Sequence, residues 1–269
     1  MFDLTTPELI IVAAVGIVAG VINGTVGGGS LLTYPLLVSI GISPVWAAAT
    51  NSTGISTGNM AALIPHRDQQ TVSFAKWKWH AIATASGSVI GGLLLILLPE
   101  KIFEFLVPIL LVGASLTMVI RPKQKVAEHK HPKETKSLLI LSGLYNGYFG
   151  PGQGVLAMAI LLRDGRLNVS QTVVIKNLVL ATSNVVVATL FILTGHVVWP
   201  VAATLLITAF FTTDSFTGDV VWPVAATLLI TAATGGWLGG KIAGSIHPTF
   251  TRWFVALTGF ISAAWFLLR

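Results

Sequence analysis

Two short stretches of this chain carry residue types that could hold a small ion. Asn23-Gly-Thr-Val-Gly-Gly-Gly-Ser30 interrupts one apolar run, and Asn146-Gly-Tyr-Phe-Gly-Pro-Gly-Gln-Gly154 interrupts another. Asn23 and Asn146, Gly24 and Gly147, Gly27 and Gly150, and Gly29 and Gly152 stand at one constant spacing, so the second stretch echoes the first. A continuous helix gains nothing from these glycines, each of which costs about 1 kcal/mol relative to alanine. Their use is a backbone that can turn, take φ > 0 and approach a partner closely. A break also releases backbone N–H groups, which with small polar side chains beside them suit an anion. Matched breaks in two halves of an apolar chain mark a ligand site midway across a bilayer. The plainer use of such glycines is tight helix crossing.

Further polar residues lie inside apolar runs. Thr50-Asn-Ser-Thr53, Ser56, Thr57 and Asn59 sit in one of them. Ser and Thr hydroxyls can bond back to their own helix, but the Asn51 amide needs outside partners and costs several kcal/mol without them. Asn51 should therefore face the bundle interior, with Ser52 beside it. Lys176, followed by Asn177, is an ionised side chain inside an apolar span, where such residues are rare and functional. The competing reading is that Lys176, near the end of its span, snorkels to the interface. Ser183 and Asn184 are weaker candidates further along.

The elements that would position these groups follow from composition. Of 269 residues, 54% are hydrophobic and 10% charged, and mean hydropathy is +0.82. Soluble domains carry about 25% charge, so the chain reads as an all-α polytopic membrane protein. The net charge of +6 lies mostly in short loops and signals topology, with no nucleic-acid surface. The chain has no cysteine, which excludes disulfides and thiolate metal sites. The first 22 residues lack a basic n-region, so no cleaved signal peptide is expected.

In chain order, a helix starts near Pro7 and runs to about Asn23, with Gly16, Gly20 and Gly24 as a close-packing seam. Residues 31–40 are too short to span and read as the second arm of a broken hairpin. Spans follow at 46–65, 80–98 and 102–120. The segment 121–136 is the most charged, and it shares a side with the basic loop at Arg67. Both are basic, so that side is cytoplasmic. The second half breaks at 146–154, returns to the cytoplasm at Arg163 and Arg166, and spans at 169–194. Corresponding loops of the two halves then lie on opposite faces, which is an inverted repeat. The expected organisation is a first transmembrane repeat at 1–120, a basic cytoplasmic linker at 121–136 and a second repeat at 137–269. Within the last, residues 197–209 recur identically at 220–232. If both copies cross, the side of the C-terminus reverses. The close-packing glycines Gly235, Gly236, Gly239, Gly240 and Gly244 follow the second copy, and 250–268 is the last span.

The motifs Gly20-x-x-Asn-Gly-Thr-x-Gly-Gly-Gly-Ser30 and Pro44-x-x-Ala-Ala-Ala-Thr-Asn-Ser52, with the echo Gly143-x-x-Asn-Gly-x-x-Gly-Pro-Gly152 and Lys176-Asn177, resemble the TauE/SafE family of sulfite-exporter-like permeases. The resemblance implies a multi-pass inner-membrane transporter of sulfite, sulfoacetate or similar anions, with two halves placing Gly-rich breaks around a central site. It implies that Asn23, Gly24, Thr25, Gly27, Gly28, Gly29, Ser30, Asn51 and Ser52 line that site. From the second half it brings Asn146, Gly147, Gly150, Gly152, Gln153, Gly154, Lys176 and Asn177. The tandem duplication is not an expected family feature. Lys176 would supply charge to a bound anion as a point charge without a rigid fork, and the halves would rock in alternating access. The expected partners are the anion and the lipid bilayer, with no cofactor, metal or nucleic acid; a homo-oligomer stays open. An anion channel and a non-transporting scaffold are the competing readings. A nucleotide site lacks strand and Walker spacing. An enzyme is not expected, because His66, His80, His196 and His247 fall near loop ends and His129 and His131 in a charged loop.

Overall fold

Glycine and proline punctuate the helices. Gly41 (φ 93°) reverses the chain, and Pro44 starts the next helix at a first-turn position, where its missing N–H is no loss. The structure, a computed structural model, describes residues 6–25, 27–64, 74–119, 132–163, 167–191, 193–194, 222–242 and 248–268. Among them no strand occurs. The first half comprises α1 (Thr6–Thr25), α2 (Ser30–Ser39), α3 (Pro44–Ala61), α4 (Phe74–Leu97) and α5 (Glu100–Val119). The second comprises α6 (Pro132–Tyr148), α7 (Gln153–Arg163), α8 (Val169–Phe191), α9 (Trp222–Ile242) and α10 (Pro248–Leu268).

Trp77–Leu97, Glu100–Val119, Val169–Phe191 and Thr251–Leu268 are long and apolar enough to cross a bilayer, so the fold is all-α and multi-pass. At about 1.5 Å per residue, α4 covers the roughly 30 Å hydrocarbon layer. Large apolar side chains on the outside, such as Phe105 at 72% exposure, suit lipid as their neighbour. The shorter helices α2 and α7 could not span alone, which agrees with broken-hairpin arms. Arg163 on α7 and Glu134 on α6 form an ion pair at 2.6 Å, so the free ends of that hairpin lie together.

Glycine seams set the helix crossings. A Cβ on Gly87 or Gly91 of α4 would fall 2.0 Å from the carbonyl oxygen of Ile140 or Leu144 on α6, and Gly143 and Gly147 of α6 meet Thr84 and Ser88 just as closely. On α9, Gly235 and Gly239 press against the Ile17 and Val21 carbonyls of α1, while Gly236 presses against Gly58 of α3. Without a Cβ these backbones approach closely enough for dispersion contacts to hold them. Elsewhere α3 crosses α8, α4 packs on α8, and α5 packs on α10. Tyr34, Phe103, Tyr148 and Phe149 join in an aromatic core beside the two breaks, with the Tyr34 and Phe149 rings edge to face at 5.1 Å.

Two expectations shift. The helix expected from His80 begins at Phe74, so His80 lies inside α4, buried and packed against Trp77 at 4.5 Å, and not near a loop end. Winding this stretch into the helix buries Trp77 against His80, while Lys78 and Trp79 stay on its exposed face. The helix that α1 and α3 receive is the second copy of the duplication; the first copy lies outside the described residues.

Candidate functional site

Helix ends bracket both glycine-rich stretches. α1 ends at Thr25 and α2 starts at Ser30, while α6 ends at Tyr148 and α7 starts at Gln153. Gly27 (φ 92°) and Gly28 (φ 90°) in the first break and Gly150 (φ 92°) and Gly152 (φ 88°) in the second take the left-handed conformation, which side chains with a Cβ rarely adopt. The breaks meet. A Cβ on Gly27 would stand 2.7 Å from the Gly154 carbonyl carbon, and the Gly152 N–H donates to the Ser30 hydroxyl at 3.2 Å.

A small cavity of about 20 Å³, room for about one water, lies between the breaks and the crossing pair α3 and α8. Asn23, Ser30, Asn51, Ser52, Asn146, Gly150, Gln153 and Gly154, all expected at a site, line it. Ile55, Asn59, Leu180 and Asn184 complete the lining. Their signal was periodic: Asn51, Ile55 and Asn59 recur every fourth residue along one face of α3, and Leu180 and Asn184 do the same on α8. Asn59 had been noted only as one polar residue among several.

The remaining expected residues stand behind that lining. Lys176 is fully buried, and its Nζ donates to the Asn23 carbonyl at 2.6 Å and the Thr25 carbonyl at 3.2 Å. Asn177 Nδ2 donates to the Gly24 carbonyl at 3.2 Å. The side chains therefore cap the interrupted end of α1, whose last carbonyls lack intrahelical donors and carry the negative end of the helix dipole. That orphaned end draws Lys176 inward, away from the interface. The Thr25 hydroxyl turns back to Val21 and Ile22 of its own helix. Gly28 packs against Met118 and Val155, Gly29 against Ala19, Gly147 against Ser88 and Gly152 against Ala114. For these glycines the close-packing role is what the geometry displays.

Backbone donors are less available than their sequence suggests. The N–H of Gly27 donates to Ile22, that of Gly150 to Tyr145, and that of Gln153 to Gly150. The Gly29 N–H donates to Asn23 Oδ1 at 2.8 Å. Tight turns close their own hydrogen bonds, so these groups are not free for a solute. Side-chain amides take their place. Because the Gly29 N–H can only donate, it fixes the Asn23 amide with its oxygen toward the break and its NH2 available to the cavity. The Thr33 hydroxyl donates to Asn51 Oδ1, and Asn146 Nδ2 donates to Asn184 Oδ1 at 3.0 Å. Each pairing ties up an oxygen and leaves that amide's NH2 as the group it can offer. The cavity is thus rich in neutral donors, with the ammonium of Lys176 directly behind the Asn23 backbone.

The family model described as "Sulfite exporter TauE/SafE" matches residues 12–215. A probable membrane transporter protein YfcA of Escherichia coli strain K12 is 31% identical over 201 residues, covering 73% of this chain and 74% of the relative. A probable membrane transporter protein of Haemophilus influenzae is 28% identical over 207 residues, 74% of this chain and 80% of its own. Another, ORF9 of Sinorhizobium sp, is 27% identical over 205 residues, 75% of this chain and 78% of its own. No solved structure matches the chain significantly. The family match runs through the first copy of the duplication, whereas the copy seated against α1 and α3 is the second.

Proposed function

The chain belongs to the TauE/SafE family of membrane transporters, and from that premise we propose that it carries small sulfur oxyanions such as sulfite or sulfoacetate by alternating access. The observation that carries this reading is the cavity between the two touching breaks, where Asn23, Asn51 and Asn184 have their oxygens engaged by the protein and amide N–H groups left to offer. Such a lining can replace part of an anion's hydration shell and gives little to a cation. Lys176 supplies a positive charge behind it and holds the end of α1 in place. A buried ammonium is little screened by salt, so its field reaches the cavity.

The helix contacts support an inverted repeat. α1 lies along α9 as α6 lies along α4, α3 meets α9 as α8 meets α4, and α3 meets α8 while α5 meets α10. α9 runs in the same sense as α1, with Gly235 near Ile17 and Gly239 near Val21, and α4 runs likewise along α6. On that arrangement α9 begins on the side where α8 ends. Rocking of one half on the other pivots at the Gly27–Gly154 contact. The positive charge of 121–136 supports a cytoplasmic start for α6, in a cell whose plasma membrane holds the protein, so α8 ends on the opposite face.

Purified protein in proteoliposomes tests the reading. Saturable uptake and counterflow of labelled sulfite, inhibited by excess unlabelled sulfite, are expected. Flux that never saturates would mean a channel, and no flux across sulfite, sulfoacetate, thiosulfate and sulfate would mean a scaffold.

A further inference from the structure

Most of the cavity offers donors, but two places in it ask for one. Among the described residues Gln153 Oε1 is buried without a partner, and so are both Oδ1 and Nδ2 of Asn59, a residue with no exposed surface. Buried amide groups of this kind are rare and costly unless something else completes them.

A relay orients Gln153. Its Nε2 donates to Ser183 Oγ at 3.3 Å, and Asn146 Nδ2 donates to the same oxygen at 2.9 Å. The Ser183 and Ser88 hydroxyl oxygens are 2.5 Å apart. Ser88 in turn donates to the carbonyls of Thr84 at 2.9 Å and Gly143 at 3.1 Å. Those carbonyls can only accept, so the hydrogen of Ser88 points to them and that of Ser183 points to Ser88. Both acceptor positions of Ser183 then receive amide donors. The relay leaves Gln153 with its NH2 toward Ser183 and its oxygen as the unmatched atom. Gln153 and Asn59 both line the cavity.

Resting on the carrier reading above, we propose that the site selects oxyanions that keep a hydrogen-bond donor, a singly protonated monoanion, with Gln153 Oε1 receiving its O–H and the unpaired Asn59 amide meeting the same anion. The amides of Asn23, Asn51 and Asn184 hold the unprotonated oxygens. An oxyanion without an O–H sets its oxygen lone pairs against those of Gln153 and leaves the carbonyl unsatisfied. A site built for a hydrogen bond rejects an analogue lacking the donor more strongly than shape alone achieves.

Methylphosphonate and methanesulfonate separate the cases. Both are tetrahedral monoanions of the same heavy-atom shape at a pH where the phosphonate keeps one proton, and only the phosphonate has an O–H. Full-length protein in proteoliposomes is assayed for labelled sulfite uptake with each as competitor. Methylphosphonate should compete about tenfold or more better, and Gln153→Met and Asn59→Leu should each shrink that preference. Equal competition with sulfite uptake intact overturns the inference and leaves the carrier reading standing. An unchanged preference in both variants removes the roles of Gln153 and Asn59. Absence of sulfite uptake and of competition in the wild-type protein overturns the carrier reading itself, and the inference with it. The wild-type comparison decides the central point even if a variant does not fold.

Discussion

Gly27 and Gly154 touch through backbone alone, with a Cβ on Gly27 placed 2.7 Å from the Gly154 carbonyl carbon. Two helix breaks that lie far apart in the chain are therefore one structural unit. Gly27 is doubly constrained, because its φ of 92° already disfavours a side chain. Gly27→Ala should destabilise the protein by roughly 2 kcal/mol or more, from combined strain and overpacking. Thermal unfolding in detergent reads this, with Gly113→Ala as the control. Among the described residues nothing lies within 4 Å of a Cβ on Gly113 in α5, so that variant should unfold no earlier than the parent.

Lys176→Met should abolish sulfite uptake. It should also lower stability by about 1–3 kcal/mol, since the Asn23 and Thr25 carbonyls lose their donor in a buried place. Uptake at the parental rate by a folded Lys176→Met protein would reject the charge role.

Ser88 and Ser183 should behave as one unit. Ser183→Ala removes the acceptor of both Asn146 and Gln153, and Ser88→Ala removes the group that orients Ser183. Their combined effect on sulfite affinity should fall short of the summed single effects by about 0.5–3 kcal/mol. A double-mutant cycle on the uptake KM measures it, and strict additivity would dissolve the relay.

Deleting residues 197–219 joins His196 directly to Val220 and removes one copy of the repeat. The helix seated on α1 and α3 is α9, and its Gly235, Gly236 and Gly239 contact carbonyl groups there. The residues that follow the first copy at the same spacing are Thr212, Thr213 and Phe216, whose side chains cannot enter that seam. Transport and the location of a C-terminal tag should both survive the deletion. A tag that changes sides would contradict the proposed inverted arrangement.

Local order was legible in the sequence because its causes are local. Glycine density located both breaks, Pro44 located a helix start, and apolar length separated spanning helices from hairpin arms such as α2 and α7. The start of α4 lies before the expected residue 80 because Trp77 covers His80, a contact that only packing reveals. Asn59 was overlooked because its polarity resembled that of its neighbours; its role depends on which face of α3 meets α8.

By itself the sequence determined an all-helical membrane chain with two interrupted helices, since backbone conformation and burial in lipid follow from residue type and spacing. Tertiary structure alone decided what each polar group meets. Lys176 turned to the end of α1, the backbone donors of the breaks closed on the protein, and carboxamides came to line the cavity. Hydrogen-bond partners are chosen by how helices cross and rotate, a long-range outcome of packing that spacing along one chain does not encode.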